Sequence, residues 1–303
     1  MTASPFVRDS FQSTSSLRLD RNSFPMRLFR KSKRLGIWDP DAIDFQTDRE
    51  HWLAFTQEEQ KSLLHMTSLF LGGEEAVTLD LLPLIHAIAS EGRIEEEMFL
   101  ATFLWEEAKH IDFFARFLEE VVVDPIDLGA LQGEQFKFLF FSELPRSLRR
   151  LLEDPSPIAQ ADASVTYNMI IEGVLAETGY HAYTTAFESA GLMPGLLQGL
   201  VQIKRDESRH IAYGVYLLCR LVAEDPQLWE GIEERMNALL IPALGLIAES
   251  FDLYEKMPFG IELEDLTEMA SKNFLRRHRR ISDSRGKTFQ EIQELALAVV
   301  SED

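Results

Sequence analysis

The sequence holds a single cysteine, Cys219, in 303 residues, which excludes an internal disulfide. It has no apolar run long enough to span a bilayer and no N-terminal secretion signal, so a soluble, cytoplasmic protein is expected. Positive charge is scarce. Thirty Lys and Arg stand against 50 Asp and Glu, a formal charge of -20, which argues against nucleic acid as a partner. The 12 Pro and 16 Gly fall mostly between periodic stretches, and with 46% hydrophobic residues one helical domain with a sizeable core is expected.

What is present is organised around Phe99 to Leu118. Phe99, Phe103, Glu107, His110, Phe114 and Phe117 recur at steps of three and four, so a carboxylate and an imidazole share an otherwise apolar helix face. A buried carboxylate needs a partner charge or a metal, and E-x-x-H is the spacing by which one helix offers an oxygen and a nitrogen to one ion. One hundred residues later Glu207 and His210 repeat the pair, on a stripe with Leu200, Ile203 and Gly214. With 32 Glu and 7 His, chance would supply roughly 0.7 such pairs. Two on buried stripes carry weight.

Along the chain, residues 1–26 lack periodicity and are expected to form a flexible N-terminal arm. The main helical domain is expected over 27–282 and a C-terminal tail over 283–303. Thr56 with Glu59 predicts an N-cap for a helix reaching about Phe70, with Gly72-Gly73 breaking or bending it before a second helix to Ser90. Further helices are predicted over 93–122, 134–152 with a kink at Pro145, 158–190, 194–223, 227–256, 262–281 and 289–300. Glu74 shares a face with Val77 and Leu81, whereas Glu75 turns away. Glu172 is a lone acid among Val165, Met169 and Ala176.

Glu74 precedes Glu107 by 33 residues and Glu172 precedes Glu207 by 35, as two helix pairs require if each lone Glu faces its own E-x-x-H. Four carboxylates and two imidazoles make the set from which a four-helix bundle builds a dinuclear metal site.

These residues resemble the ferritin-like dimetal carboxylate proteins, and over roughly 35–280 the chain resembles the ribonucleotide reductase small subunit. Glu74 stands where that subunit usually has Asp, and Phe114 stands where most of its members carry a radical-bearing tyrosine. GEEAVT at 73–78, WEEAKH at 105–110 and SVTYNMIIEG at 164–173 are closer to the small-subunit-like ligand-binding oxidases. That resemblance implies an all-α, ferritin-like four-helix bundle with additional helices. It also implies an oxygen-activating Mn/Fe oxidase acting with O2, an electron donor of unknown identity and a long-chain fatty acid at the metals, in a homodimer.

The resemblance assigns Glu74, Glu107 and His110 to manganese and Glu172, Glu207 and His210 to iron, with Glu107 and Glu207 as candidate bridges. It makes Val77 and Tyr167 the pair joined by an ether crosslink. The ligand types alone leave Fe/Fe open as well as Mn/Fe. Two trivalent ions against four carboxylates leave positive charge that hydroxide and an acidic ligand would cancel. Asp206 and Trp38 resemble the hydrogen-bonding acid and electron-relay tryptophan of the reductase subunit, with a surface acid the rival for Asp206 and a packing anchor the rival for Trp38. Tyr180 is a candidate hydrogen-bond donor near the site or an ordinary core tyrosine. The other histidines, His51, His65, His86, His181 and His278, are expected to be structural, and FLRRHRR at 274–280 to close a helix or pair with acids, with an anion-binding patch the rival. The alternatives are a reductase small subunit proper, for which the tail ALAVVSED offers no relay tyrosine, and a di-iron ferritin-like protein, which has no use for Val77 with Tyr167.

Overall fold

The computed structural model describes residues 10–123 and 126–300, and among these there is no strand. Residues 1–9 of the expected arm and the last three of the expected tail lie outside the described residues. The helices are α1 (Phe24–Leu35), α2 (Gln46–Ala54), α3 (Gln57–Asp80), α4 (Leu82–Ser90), α5 (Ile94–Phe117), α6 (Glu134–Phe136), α7 (Leu144–Arg150), α8 (Pro157–Ser164), α9 (Glu177–Phe187), α10 (Pro194–Glu224), α11 (Leu228–Phe251), α12 (Leu263–Ser282) and α13 (Phe289–Val300). Wider π-helical turns occupy Leu118–Val122, Lys137–Glu143 and Val165–Ala176, the last joining α8 to α9.

The architecture is the all-α, ferritin-like one. Helices α3, α5, α10 and the Val165–Ala176 segment surround the centre, with α3 packed on α5, and α10 on both α5 and the π-helical segment. Helices α1, α11 and α12 cover the outside of that bundle. The phenylalanines of α5 supply much of the interior: Phe99, Phe103, Phe113, Phe114 and Phe117 are wholly buried, each contributing roughly 2–3 kcal/mol by leaving water.

Helix α3 begins where the capping box predicts: the Glu59 amide donates to the Thr56 hydroxyl, and the Thr56 amide donates to the Glu59 carboxylate at 2.8 Å. The interruption expected at Gly72-Gly73 does not occur. Helix α3 runs through both glycines and ends at Asp80, just before Pro83, whose ring would strike the carbonyl of Leu79 in a continued helix. The glycines serve closeness instead. A Cβ on Gly73 would lie 3.3 Å from the ring of Phe140, and one on Gly72 would overlap Gln132. Ahead of Pro145 the expected kink is spread over the wide turn Lys137–Glu143.

Candidate dimetal centre

Helix α3 brings Glu74, α5 brings Glu107 and His110, the π-helical segment brings Glu172, and α10 brings Glu207 and His210. All six are buried. Their ligand atoms form two overlapping groups, Glu74, Glu107, His110, Glu207 and Glu107, Glu172, Glu207, His210, with all atoms of a group within 4.8 Å of one another. Glu107 and Glu207 belong to both groups, the position a bridging carboxylate takes. Each imidazole points Nδ1 at the cluster: His110 Nδ1 lies 3.3 Å from Glu74 and 3.4 Å from Glu207, and His210 Nδ1 lies 3.2 Å from Glu107.

The residues fit a pair of cations. Glu107 Oε2, Glu172 Oε1, Glu207 Oε2 and His210 Nδ1 are buried without a hydrogen-bond partner, a condition that costs roughly 1–3 kcal/mol per group unless something else satisfies it. Titration behaviour points the same way. Burial drives Glu74 up to about 8 and Glu172 well above the carboxylate range, and neighbouring carboxylates add to both. Burial would raise Glu107 too, but the two neighbouring imidazoles outweigh it and hold Glu107 low. Both imidazoles rise despite burial, His110 chiefly through Glu74 and His210 chiefly through Glu207. Protons thus compete with cations for these atoms.

Behind each histidine stands a second acid. His210 Nε2 lies 2.9 Å from Glu106, and His110 Nε2 lies 3.4 Å from Asp206. Asp206, whose rival reading was a surface acid, is wholly buried. Its carboxylate accepts from Trp38 Nε1 at 2.8 Å and from Lys109 at 3.2 Å, and it pairs with Arg209. Burial would raise Asp206, but His110, Lys109 and Arg209 outweigh that and keep it low. Arg209 also donates to Glu106 at 2.6 Å. Glu106 and Arg209 escaped the sequence reading, although the sequence carries a signal for them: Glu106, Glu107, Lys109 and His110 recur one hundred residues on as Asp206, Glu207, Arg209 and His210. Each half supplies the acid behind the other half's imidazole.

Tyr167 and Val77 both adjoin the cluster. The Tyr167 hydroxyl donates to Glu107 Oε1 at 3.2 Å, and Val77 lines a cavity of about 130 Å3 together with all four carboxylates. In an α-helix, residues five apart diverge by about 140°. The wide turn of Val165–Ala176 brings Tyr167 round to the face of Glu172. Asn168, in the same turn, donates to Glu172 at 2.9 Å and lies over Gly214, where any Cβ would overlap it. The cavity continues between apolar walls that include Leu69, Phe70, Phe140, Ile171 and Leu246. Tyr180 is buried against Phe70, and its hydroxyl has no partner among the described residues.

Of the remaining histidines, His51 accepts from the Met193 amide at 3.1 Å and His278 pairs with Glu233 at 2.9 Å. His65 sits on the cavity wall. In FLRRHRR, Arg277 pairs with Glu177 at 2.8 Å.

Residues 27–269 match the family model described as ribonucleotide reductase, small chain. Among solved structures, an R2-like ligand-binding oxidase with aerobically reconstituted Mn/Fe cofactor superposes with a TM-score of 0.89 at 36% identity, covering 93% of this chain and 100% of the other. The chain belongs to this family. Other R2-like ligand-binding oxidase structures agree: a valine-to-isoleucine variant with anaerobically reconstituted Mn/Fe cofactor has a TM-score of 0.87 at 37% identity, covering 91% of this chain and 99% of that one. A tyrosine-to-phenylalanine variant with aerobically reconstituted Mn/Fe cofactor gives the same score, identity and coverage. As an R2-like ligand-binding oxidase the protein is an oxidoreductase, and its buried carboxylate and histidine cluster is able to hold a Mn/Fe pair of the kind those relatives carry. Among the described residues no helix is long and apolar enough to cross a membrane.

Proposed function

We propose that this protein is an O2-dependent Mn/Fe oxidase, working as a cytoplasmic homodimer on an acidic ligand with a long apolar tail, a long-chain fatty acid. The observation that carries this reading is the continuity between the carboxylate cluster and the apolar cavity: an anionic head would meet the ions while its chain lies among Leu69, Phe70 and Leu246. In this reading Glu74, Glu107 and His110 hold manganese, Glu172, Glu207 and His210 hold iron, and Glu107 and Glu207 bridge. The functional unit is 27–282, flanked by an N-terminal arm and a C-terminal tail.

When bound, such a pair supplies the redox chemistry that reduces dioxygen. The chain's own residues do the rest. Asp206 and Glu106 fix the rings of His110 and His210 by holding their Nε2 sides, so both Nδ1 atoms stay aimed at the cluster. The apolar wall excludes water. Burial, reinforced by Glu107, keeps the Tyr167 phenol protonated, while Glu107 Oε1 is placed to take its proton. Forming the ether replaces the tertiary C–H of Val77 and the O–H of Tyr167 with one C–O bond, and the two protons and two electrons released pass to dioxygen.

Peptide mass spectrometry after metal loading in air tests the reading. The expected product is one crosslinked species containing the Val77 and Tyr167 peptides and lacking two hydrogens. Two unmodified peptides from fully loaded protein contradict it.

A further inference from the structure

One stretch of surface carries charge opposite to the net charge of the chain. From Arg21 to Trp38 there are six cations and no acid, in a chain where acids outnumber bases 50 to 30. Five of the six, Arg27, Arg30, Lys31, Lys33 and Arg34, frame a single surface recess on α1. Beside them the surface is apolar: Leu35 is 44% exposed, Ile37 66% and Trp105 46%.

Trp105 is the outer end of a column that reaches the cluster. Its ring lies 4.5 Å from the Lys109 ammonium, which lies 4.3 Å from the ring of Trp38. Trp38 donates to Asp206, and Asp206 meets His110. The Gly36 carbonyl accepts from Lys109 at 2.6 Å, which ties the end of α1 to this column. Helix α1 packs on α5 and α10 and contributes nothing to the cavity, whose apolar walls come from α3, α9, α11, α12 and the π-helical turns holding Phe140 and Ile171. The cluster therefore has two approaches, one apolar and one through stacked aromatic and charged side chains.

We propose that the α1 face is the docking surface for a small acidic protein carrying a one-electron centre, and that Trp105 is the point at which its electrons enter. The proposal rests on the oxidase reading, in which ions left trivalent by reaction with dioxygen must be reduced before the next turnover. Each encounter oxidises the donor by one electron and reduces one trivalent ion to the divalent state; two encounters restore the pair, and no atom is transferred. Five cations beside an apolar rim suit a transient, electrostatically steered protein contact. A nucleic acid gains little from the exposed aliphatic Leu35 and Ile37. An anionic membrane seated on α1 would meet a face that contributes nothing to the apolar cavity.

The test uses full-length, metal-loaded, air-oxidised protein mixed anaerobically with a chemically reduced plant-type ferredoxin, an acidic one-electron carrier. Electron transfer is followed by stopped flow at the ferredoxin's own visible band, and binding by calorimetry on metal-loaded and metal-free protein. The R30E/R34E double variant should lower both binding and rate by about tenfold or more, as should raising the salt from about 20 to about 300 mM. W105L, which keeps apolar bulk, should lower the rate by about tenfold while changing affinity less than about threefold. Should the double variant misfold by circular dichroism, R30Q/R34Q takes its place. Unchanged rates in either variant overturn the proposal. So does loss of binding to anionic vesicles with ferredoxin binding intact, or sedimentation and quenching data showing Trp105 covered by a second copy of the chain. Calorimetry on metal-free protein needs no ions, so a failure of the metal assignment and a failure of the docking surface are told apart.

Discussion

A histidine that offers Nδ1 to a cation must have its Nε2–H held elsewhere, and here that partner is an acid from the opposite half: Glu106 for His210 and Asp206 for His110. Removing such a partner lowers metal affinity by about 10- to 100-fold. Glu106→Ala should therefore weaken uptake of one ion by that factor, with the ion beside Glu74 and His110 affected less, as competition against a chelator would measure. His65 offers a second test, through pH. Burial lowers its pKa to about 4 from an ordinary 6.5, so the unfolded chain takes the proton first. The sign follows: the contribution is fully present above about pH 6.5 and is lost as pH falls toward 4, reaching on the order of 3 kcal/mol. Thermal unfolding of His65→Gln should show a shallower loss between pH 6.5 and 4 than the parent protein.

At the scale of helices, the π-helical segment Val165–Ala176 decides how Tyr167 and Glu172 come to share a face, and Gly214 on α10 makes room for it. Gly214→Ala should push Asn168 away from Glu172 and destabilise the metal-free protein by about 1–3 kcal/mol, read from denaturant unfolding. The segment also marks where sequence reading stops. Glu74, both E-x-x-H pairs and Glu172 stand out because a charged side chain on an apolar stripe is costly and therefore informative. From Val165 to Val174 every residue is buried, so no polar face reports the helical period and a change from α to π leaves no trace. Gly72-Gly73 misleads for a related reason: close packing against Phe140 and Gln132 calls for glycine as a turn does. The cavity wall was not legible because Leu69, Phe140 and Leu246 lie on separate elements that only the fold brings together.

At the scale of the molecule, an acidic chain concentrates negative charge at its centre, where four carboxylates meet among two imidazoles. The folded state accommodates that charge with cations or with protons. Ions that bind only the folded state stabilise it, by about 2.7 kcal/mol at a free concentration one hundred times the dissociation constant. Chelation should thus lower the melting temperature, and Glu107→Ala, which removes a candidate bridge, should abolish the difference between loaded and chelated protein. The most direct measurement is anomalous diffraction at the manganese and iron edges from crystals of the loaded protein. The account predicts two peaks, one among Glu74, Glu107, His110 and Glu207 and the other among Glu107, Glu172, Glu207 and His210. A single peak, or density for the ions anywhere else in the molecule, would contradict it.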